Sequence, residues 1–252
     1  MLAGLAALAL GLSACATEEP RANPPIFVGA PWVGTERLEY DLSERGELEG
    51  RCVLETELEV APGVTELRRS CTNADEPRYQ DNVTVQVRAD SLRPISTLRS
   101  IIDLEEDERR FSATYLAGQD LVRFVLLEYQ IGVEEPREQL NTERELPAPT
   151  DDVPAPGWYD DESLLWLVRG VPLEEGFEGA FTDVTATTRV FDADVSVEGR
   201  EEVEVPAGTF EAWKIRIQTS TVTQFAWVDV ESPHRVVRAR IERLTYELAA
   251  VD

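Results

Sequence analysis

The sequence predicts a mostly β fold: a curled antiparallel sheet, a half-barrel or open barrel, with one short helix packed on its concave face. Three observations carry this. From Arg37 onward apolar and polar residues alternate with period two, the signature of half-buried strands. Gly, Pro and Asp clusters interrupt that alternation at short intervals, as hairpin connections require. Residues 161–169 alone have the pattern of a helix, so the sheet must curl on itself or wrap that helix to cover its apolar side.

Taken in order, residues 1–14 (MLAGLAALALGLSA) hold only apolar, Gly, Ser and Met residues. The run falls short of the about 18 apolar residues that a spanning helix needs and has the length of a signal-peptide core. It ends in Leu12-Ser13-Ala14-Cys15, the small-residue pattern at which bacterial lipoprotein precursors are acylated on the cysteine and cut before it. No Lys or Arg precedes the run, so either the true start lies upstream or the segment is not a leader. A buried helix ending in a core cysteine is the competing reading. The Pro-rich, charged stretch from Thr17 to Pro25 suits a tether better. Residues 15–34 are therefore expected to be a lipidated Cys15 with a flexible tether spanning roughly 25 Å. Several acyl chains, at about 0.8 kcal/mol per buried methylene, would give lasting anchorage. Ala16, by resemblance to enterobacterial sorting rules, points to an outer membrane, with the domain facing the periplasm.

Residues 35–252 form one β-rich domain in this reading. Leu38, Tyr40 and Leu42 alternate with Glu39 and Asp41, and a turn at Arg45-Gly46 leads into a second alternating run, Val53 to Val60. Pro62-Gly63 suits the centre of a type II turn, which places Leu58 opposite Leu67 and Leu54 opposite Cys71. Cys52 then falls on the same face one pair further on, so a bulge or a diagonal bridge would join Cys52 to Cys71. In an oxidising compartment a disulfide is the default for such a pair. Closing a loop of about 20 residues would contribute roughly 3 kcal/mol. Two free thiols or a metal pair are the alternatives, and zinc would want four ligands where His234 is the single histidine. Further strands are expected at Asn82–Arg88, Leu92–Ile102, Phe111–Leu116 and Leu121–Ile131.

The rhythm stops over 133–160, an acidic, Pro-rich stretch read as an exposed loop. The helix follows, with Asp160 or Asp161 as its cap and Gly170 at its end. Being apolar nearly all round, it should be buried. Strands resume at Ala180–Thr187, Val190–Val197, Glu202–Val205, Phe210–Gln218, Thr223–Val230 and Arg235–Leu248, with Pro206-Ala207-Gly208 as a turn.

The net charge of −25 argues against nucleic acid and against docking on anionic lipid, since both need a basic face. Lys214 is the single lysine, a bias assigned to genome composition rather than to function.

Val203-Glu204-Val205-Pro206-Ala207-Gly208-Thr209-Phe210, then Trp213-Lys214-Ile215, Phe225-Ala226-Trp227-Val228-Asp229 and Arg235-Val236-Val237-Arg238 form a recognisable set. Asp160-Asp161 leading into Ser163-Leu164-Leu165, and Leu38-Glu39-Tyr40-Asp41-Leu42, add to it. Together they resemble the exported bacterial family called domain of unknown function 3108, over roughly residues 35–250. The resemblance implies a strongly curved antiparallel architecture, similar in outline to the LolA and LolB lipoprotein carriers. It carries over no catalytic residue. The lipobox and the cysteine pair are additions to the family pattern.

Candidate chemistry is sparse. Ser232-Pro233-His234 sets a serine beside the histidine, but adjacent turn residues cannot easily aim at one another, and no nucleophile elbow occurs. Asp160-Asp161-Glu162 and Asp103–Glu108 offer carboxylates without the spacing of a calcium loop. They read as a helix cap and a charged hairpin turn. Trp158, Tyr159, Trp166, Trp213, Phe225 and Trp227 are either core filling or the lining of an apolar pocket, with Trp166, Trp213, Phe225 and Trp227 the candidate ligand-binding residues. The expectation is a non-catalytic, lipid-anchored cell-envelope protein without metal or cofactor. It would bind an apolar ligand or an envelope partner in the concavity under the helix. A scaffold with a packed interior, acting through its 133–157 loop, is the alternative; a hydrolase ranks last.

Overall fold

The computed structural model describes residues 26–251 except 77, 117, 131 and 149–156. The expected leader 1–14, Cys15 and the tether as far as residue 25 lie outside the described residues.

Among the described residues fifteen strands form one sheet. The first eight are β1 (Glu36–Glu44), β2 (Glu47–Ala61), β3 (Val64–Asn73), β4 (Tyr79–Arg88), β5 (Pro94–Asp103), β6 (Asp107–Leu116), β7 (Leu121–Gln130) and β8 (Arg137–Glu145). The rest are β9 (Gly157–Asp160), β10 (Glu178–Val184), β11 (Val190–Val205), β12 (Gly208–Thr219), β13 (Thr223–Asp229), β14 (Val236–Ile241) and β15 (Leu244–Val251). Each strand pairs with its neighbours in sequence except β8 with β9, and β1 pairs with β15, so two meanders are zipped together along the first and last strands. Every pairing is antiparallel except β9 with β10. The order places β8 and β9 at opposite margins.

That order forces curvature. A flat sheet of this width would separate its margins by about 65 Å at 4.7–4.9 Å per strand. The stretch from Glu145 to Gly157 reaches at most about 40 Å when fully extended. The sheet therefore rolls, and β9 arrives on the inner face of β5 and β6 instead of joining the edge of β8. Trp158 stacks flat on Tyr115 at 5.3 Å, and the Arg93 guanidinium donates to the Trp158 carbonyl at 3.4 Å. Among the described residues the sheet is a scroll, not a closed barrel.

Inside it lies a short helical segment: a 3₁₀ turn at Asp161–Ser163, α1 (Leu164–Leu167), and a second 3₁₀ turn at Val168–Gly170. Residues 162–171 are all buried, which explains a sequence apolar on every side. Asp160 caps it, its Oδ1 accepting from the Glu162 amide at 3.1 Å. The main core runs from Ile26 through this segment to Leu248, and a second cluster gathers Ala113, Tyr115, Val122, Phe124, Leu146 and Val184.

Three expectations need correction. The tether does not extend to residue 34, because Ile26, Phe27 and Trp32 are buried and Val28 donates to the Gly170 carbonyl at 2.8 Å. Gly170 is there to let Phe27 approach: a Cβ would sit 2.3 Å from the ring. The 133–160 region contains β8 and β9; β8 reads as a loop because its exposed charges lack an alternating apolar face. Finally, Leu58–Leu67 and Leu54–Cys71 do not pair. Gly63 has the positive φ of a type II turn, but Glu59, at φ 57°, sits in a bulge that shifts the ladder between Glu57 and Ala61. Beyond it Thr56 faces Leu67 and Cys52 faces Cys71 directly, and the two cysteines form a disulfide with Cα atoms 4.1 Å apart.

Candidate functional site

Alternation along β3, β4 and β5 turns Arg69, Asp81, Thr97 and Arg99 toward the scroll's interior, where the start of the helical segment meets them. Glu162 takes Arg99 Nη1 at 2.9 Å on one oxygen and Arg69 Nη2 at 2.9 Å on the other. Arg99 also grips Asp81 at 2.9 and 2.7 Å. Burial alone would lower the Arg69 pKa, but the charges of Glu162 and Asp81 outweigh it and hold the guanidinium protonated. Asp160 Oδ2 accepts from the hydroxyls of Thr97 and Tyr115.

Three carboxyls here are driven toward the neutral form. Burial raises Asp160 to about 6 against the opposing pull of the Thr97 and Tyr115 hydrogen bonds. Burial, then the charges of Glu162 and Asp160, raise Asp161 to about 7. Asp183 on β10 rises well above the carboxylate range through burial and then the charge of Asp161. Its Oδ1 has no hydrogen-bond partner among the described residues. Both arginines are committed to carboxylates and the hydroxyls to Asp160, so this cluster fixes the helical segment against β3–β6. It presents no aligned nucleophile and base.

A second buried network holds the segment's other end. Arg169 forms a fork on Glu36 at 2.6 and 3.1 Å, lies over the Trp32 ring, and donates to the carbonyls of His234 and Pro233 at 2.9 and 3.1 Å. The His234 ring nitrogen Nδ1 lies 3.0 Å from the Asp229 carbonyl oxygen, not against Ser232. The Asp103–Glu108 segment is a hairpin turn, in which Asp103 accepts from the Glu105 amide at 3.0 Å and Arg78 pairs with Glu105. Among the described residues no cluster of His, Cys, Asp or Glu has metal-site geometry.

The four aromatic candidates do not converge. Trp166 is core, its indole donating to Thr56 Oγ1 at 2.8 Å. Trp213 faces inward beside Ile215 and Ile217. On β13, Ala226 and Val228 take the inward positions and leave Phe225 and Trp227 outside, paired across strands with Arg216 and Lys214. The space under the helical segment is filled by the main core.

The concavity does open elsewhere. Register aligns Arg69, Val83, Arg99, Phe111, Leu126 and Leu140 in one row across β3–β8. The apolar end of that row, with Phe124 and residues 186–188 of the β10–β11 turn, walls a groove of about 230 Å³. A second, wider groove of about 300 Å³ lies between Leu42, Tyr246, Cys71, Tyr79 and Ile101. The alternation of Phe124 and Leu126 was legible in the sequence, but their meeting with Leu140 required β8, which was not.

Residues 127–244 match the family described as Protein of unknown function (DUF3108), so the resemblance read from the motifs is shown over that segment. Among curated proteins none matches the chain. Among solved structures, a β-barrel-like protein of domain of unknown function DUF1849 from Brucella abortus is similar at 13% identity and a TM-score of 0.52, covering 87% of this chain and 98% of its own. That likeness is one of fold. A protein with a YmcC-like fold from Bacteroides fragilis aligns at 12% identity over 90% of this chain and 99% of its own, with a TM-score of 0.27.

Proposed function

We propose that the chain is a non-catalytic cell-envelope lipoprotein, held to the outer membrane on its periplasmic side by acyl groups on Cys15, that binds an apolar ligand in the concavity of its curled sheet. The observation that carries this reading is the groove of Phe111, Phe124, Leu126 and Leu140, an apolar recess on the sheet's inner face beside the β10–β11 turn. Burial of an apolar chain there supplies the affinity, at about 25 cal/mol per Å² removed from water. Arg99 adjoins Phe111 in the same row, but its guanidinium is held by Glu162 and Asp81, and the recess itself is lined by apolar and threonine side chains with Ala186. The site lies at the β6–β8 wing, not under the helical segment, where the packed core leaves no room.

The test is mass spectrometry of lipid extracted from the natively purified chain, alongside Leu126→Trp, which fills the groove from a half-buried position. A carrier shows bound lipid in the wild type and several-fold less in the variant at unchanged melting temperature. No lipid in either would favour a scaffold working through protein contacts.

A further inference from the structure

The strongest feature outside these grooves is the outward face of β12–β14. Period-two alternation sends Ile215, Ile217, Val237 and Ala239 inward and brings Lys214, Arg216, Arg238 and Arg240 out. Between them β13 contributes Phe225 and Trp227. Register makes two parallel rows, Arg216–Phe225–Arg240 and Lys214–Trp227–Arg238. The Lys214 ammonium lies 5.1 Å and the Arg240 guanidinium 4.7 Å from the Phe225 ring centre. Glu198 pairs with Lys214 and Arg216, and Glu247 with Arg238. Glu201 accepts from the Trp227 indole. Arg240 is exposed, and no carboxylate pairs with it among the described residues. Four cations thus surround two aromatic rings on one face of a chain of net charge −25. Three of them are paired with glutamates and Arg240 is not, so the face is locally cationic where the overall charge argued against any anionic-lipid contact.

We propose that this face rests on the anionic headgroups of the membrane that holds Cys15. The inference rests on the anchor reading and adds an orientation to it. Trp and Arg are suited to the headgroup layer, where a ring can sit among glycerol and carbonyl groups while its cationic neighbours meet phosphate. The tether allows it. Ile26 packs on the inner side of Gly179 on β10, so the tether must round the β10 edge and then cross three strand spacings, about 15 Å, to reach Phe225 on the outer face of β13. The ten residues from 16 to 25 reach about 35 Å, so Cys15 can enter the bilayer beside the docked face. The acidic remainder of the surface is repelled from the same lipid, which favours this one orientation.

Lys214 is the sole lysine, which makes a direct test available. The natively produced full chain is mixed with vesicles of phosphatidylcholine, with or without phosphatidylglycerol, floated, and treated with a water-soluble amine acylating reagent. Peptide mass spectrometry separates Lys214 from the N-terminal amine. Docking predicts several-fold slower Lys214 labelling on the anionic vesicles, relieved by high salt and by Arg240→Glu, an exposed position. A chain that floats with both vesicle types and labels at one rate on them overturns the docking face and leaves the anchor standing. Flotation with anionic vesicles alone, with Lys214 protected, supports the face and overturns the anchor. Flotation with neither overturns both.

Discussion

Asp183 carries a buried carboxylate oxygen with no hydrogen-bond partner among the described residues, next to two other acids whose protons are hard to remove. Folded-state pKa values of about 6 for Asp160 and about 7 for Asp161 exceed the unfolded value near 3.9. Such groups add stability that is fully present below about pH 4 and is lost as pH rises through 6 to 7. Melting temperature should therefore fall from pH 5 to pH 8, and Asp183→Asn, neutral throughout, should flatten that slope. A wild-type slope of the opposite sign would contradict the placement of these carboxyls. Glu162 behaves differently, because it is the shared acceptor of Arg69 and Arg99. Glu162→Gln leaves both guanidiniums short of charge and should cost about 3–5 kcal/mol in urea unfolding, as breaking a buried pair typically does. A cost below 1 kcal/mol would mean that solvent reaches the cluster. The sequence named Asp160, Asp161 and Glu162 but not their partners, which come from strands 45 to 93 residues away and have no local signature.

At the scale of elements, the strands with alternating faces were legible and those without were not. β1, β4, β7 and β12 each show one apolar face in the sequence, whereas β8 is charged along its length and β9 is only four residues long. The 161–169 helix was legible from its cap and its uninterrupted apolar run. Its surroundings were not, since Phe27 and Trp32 were read as tether. The β2–β3 hairpin shows the same limit at finer grain. Its turn and its cysteine pair could be read, but the bulge at Glu59 decides which residues face each other, and a bulge residue needs no particular side chain. Replacing Cys52 and Cys71 by alanine should lower stability by roughly 3 kcal/mol, the contribution of closing a loop of this length. Chemical denaturation of wild type and double variant in parallel measures it. Equal midpoints would show that the ladder alone holds the hairpin.

For the whole molecule, the short β8–β9 connection is the decisive constraint, because two margins of a fifteen-stranded sheet cannot be joined across about a dozen residues unless the sheet rolls. Rolling brings β9 and the helical segment inside and fills the space that the aromatic residues first suggested as a pocket. Room is left only where the β6–β8 wing stands off the β10–β11 turn. The ligand site proposed for the concavity accordingly lies at Phe111, Leu126 and Leu140 and not at Trp166. The most direct measurement is photo-crosslinking of the purified chain with a fatty acid bearing a diazirine near its tail, followed by peptide mapping. Adducts should concentrate in residues 111–126, around Leu140 and at 186–188, and fall several-fold in Leu126→Trp. Adducts spread evenly over the chain, or unaffected by that substitution, would contradict an apolar ligand site in this groove.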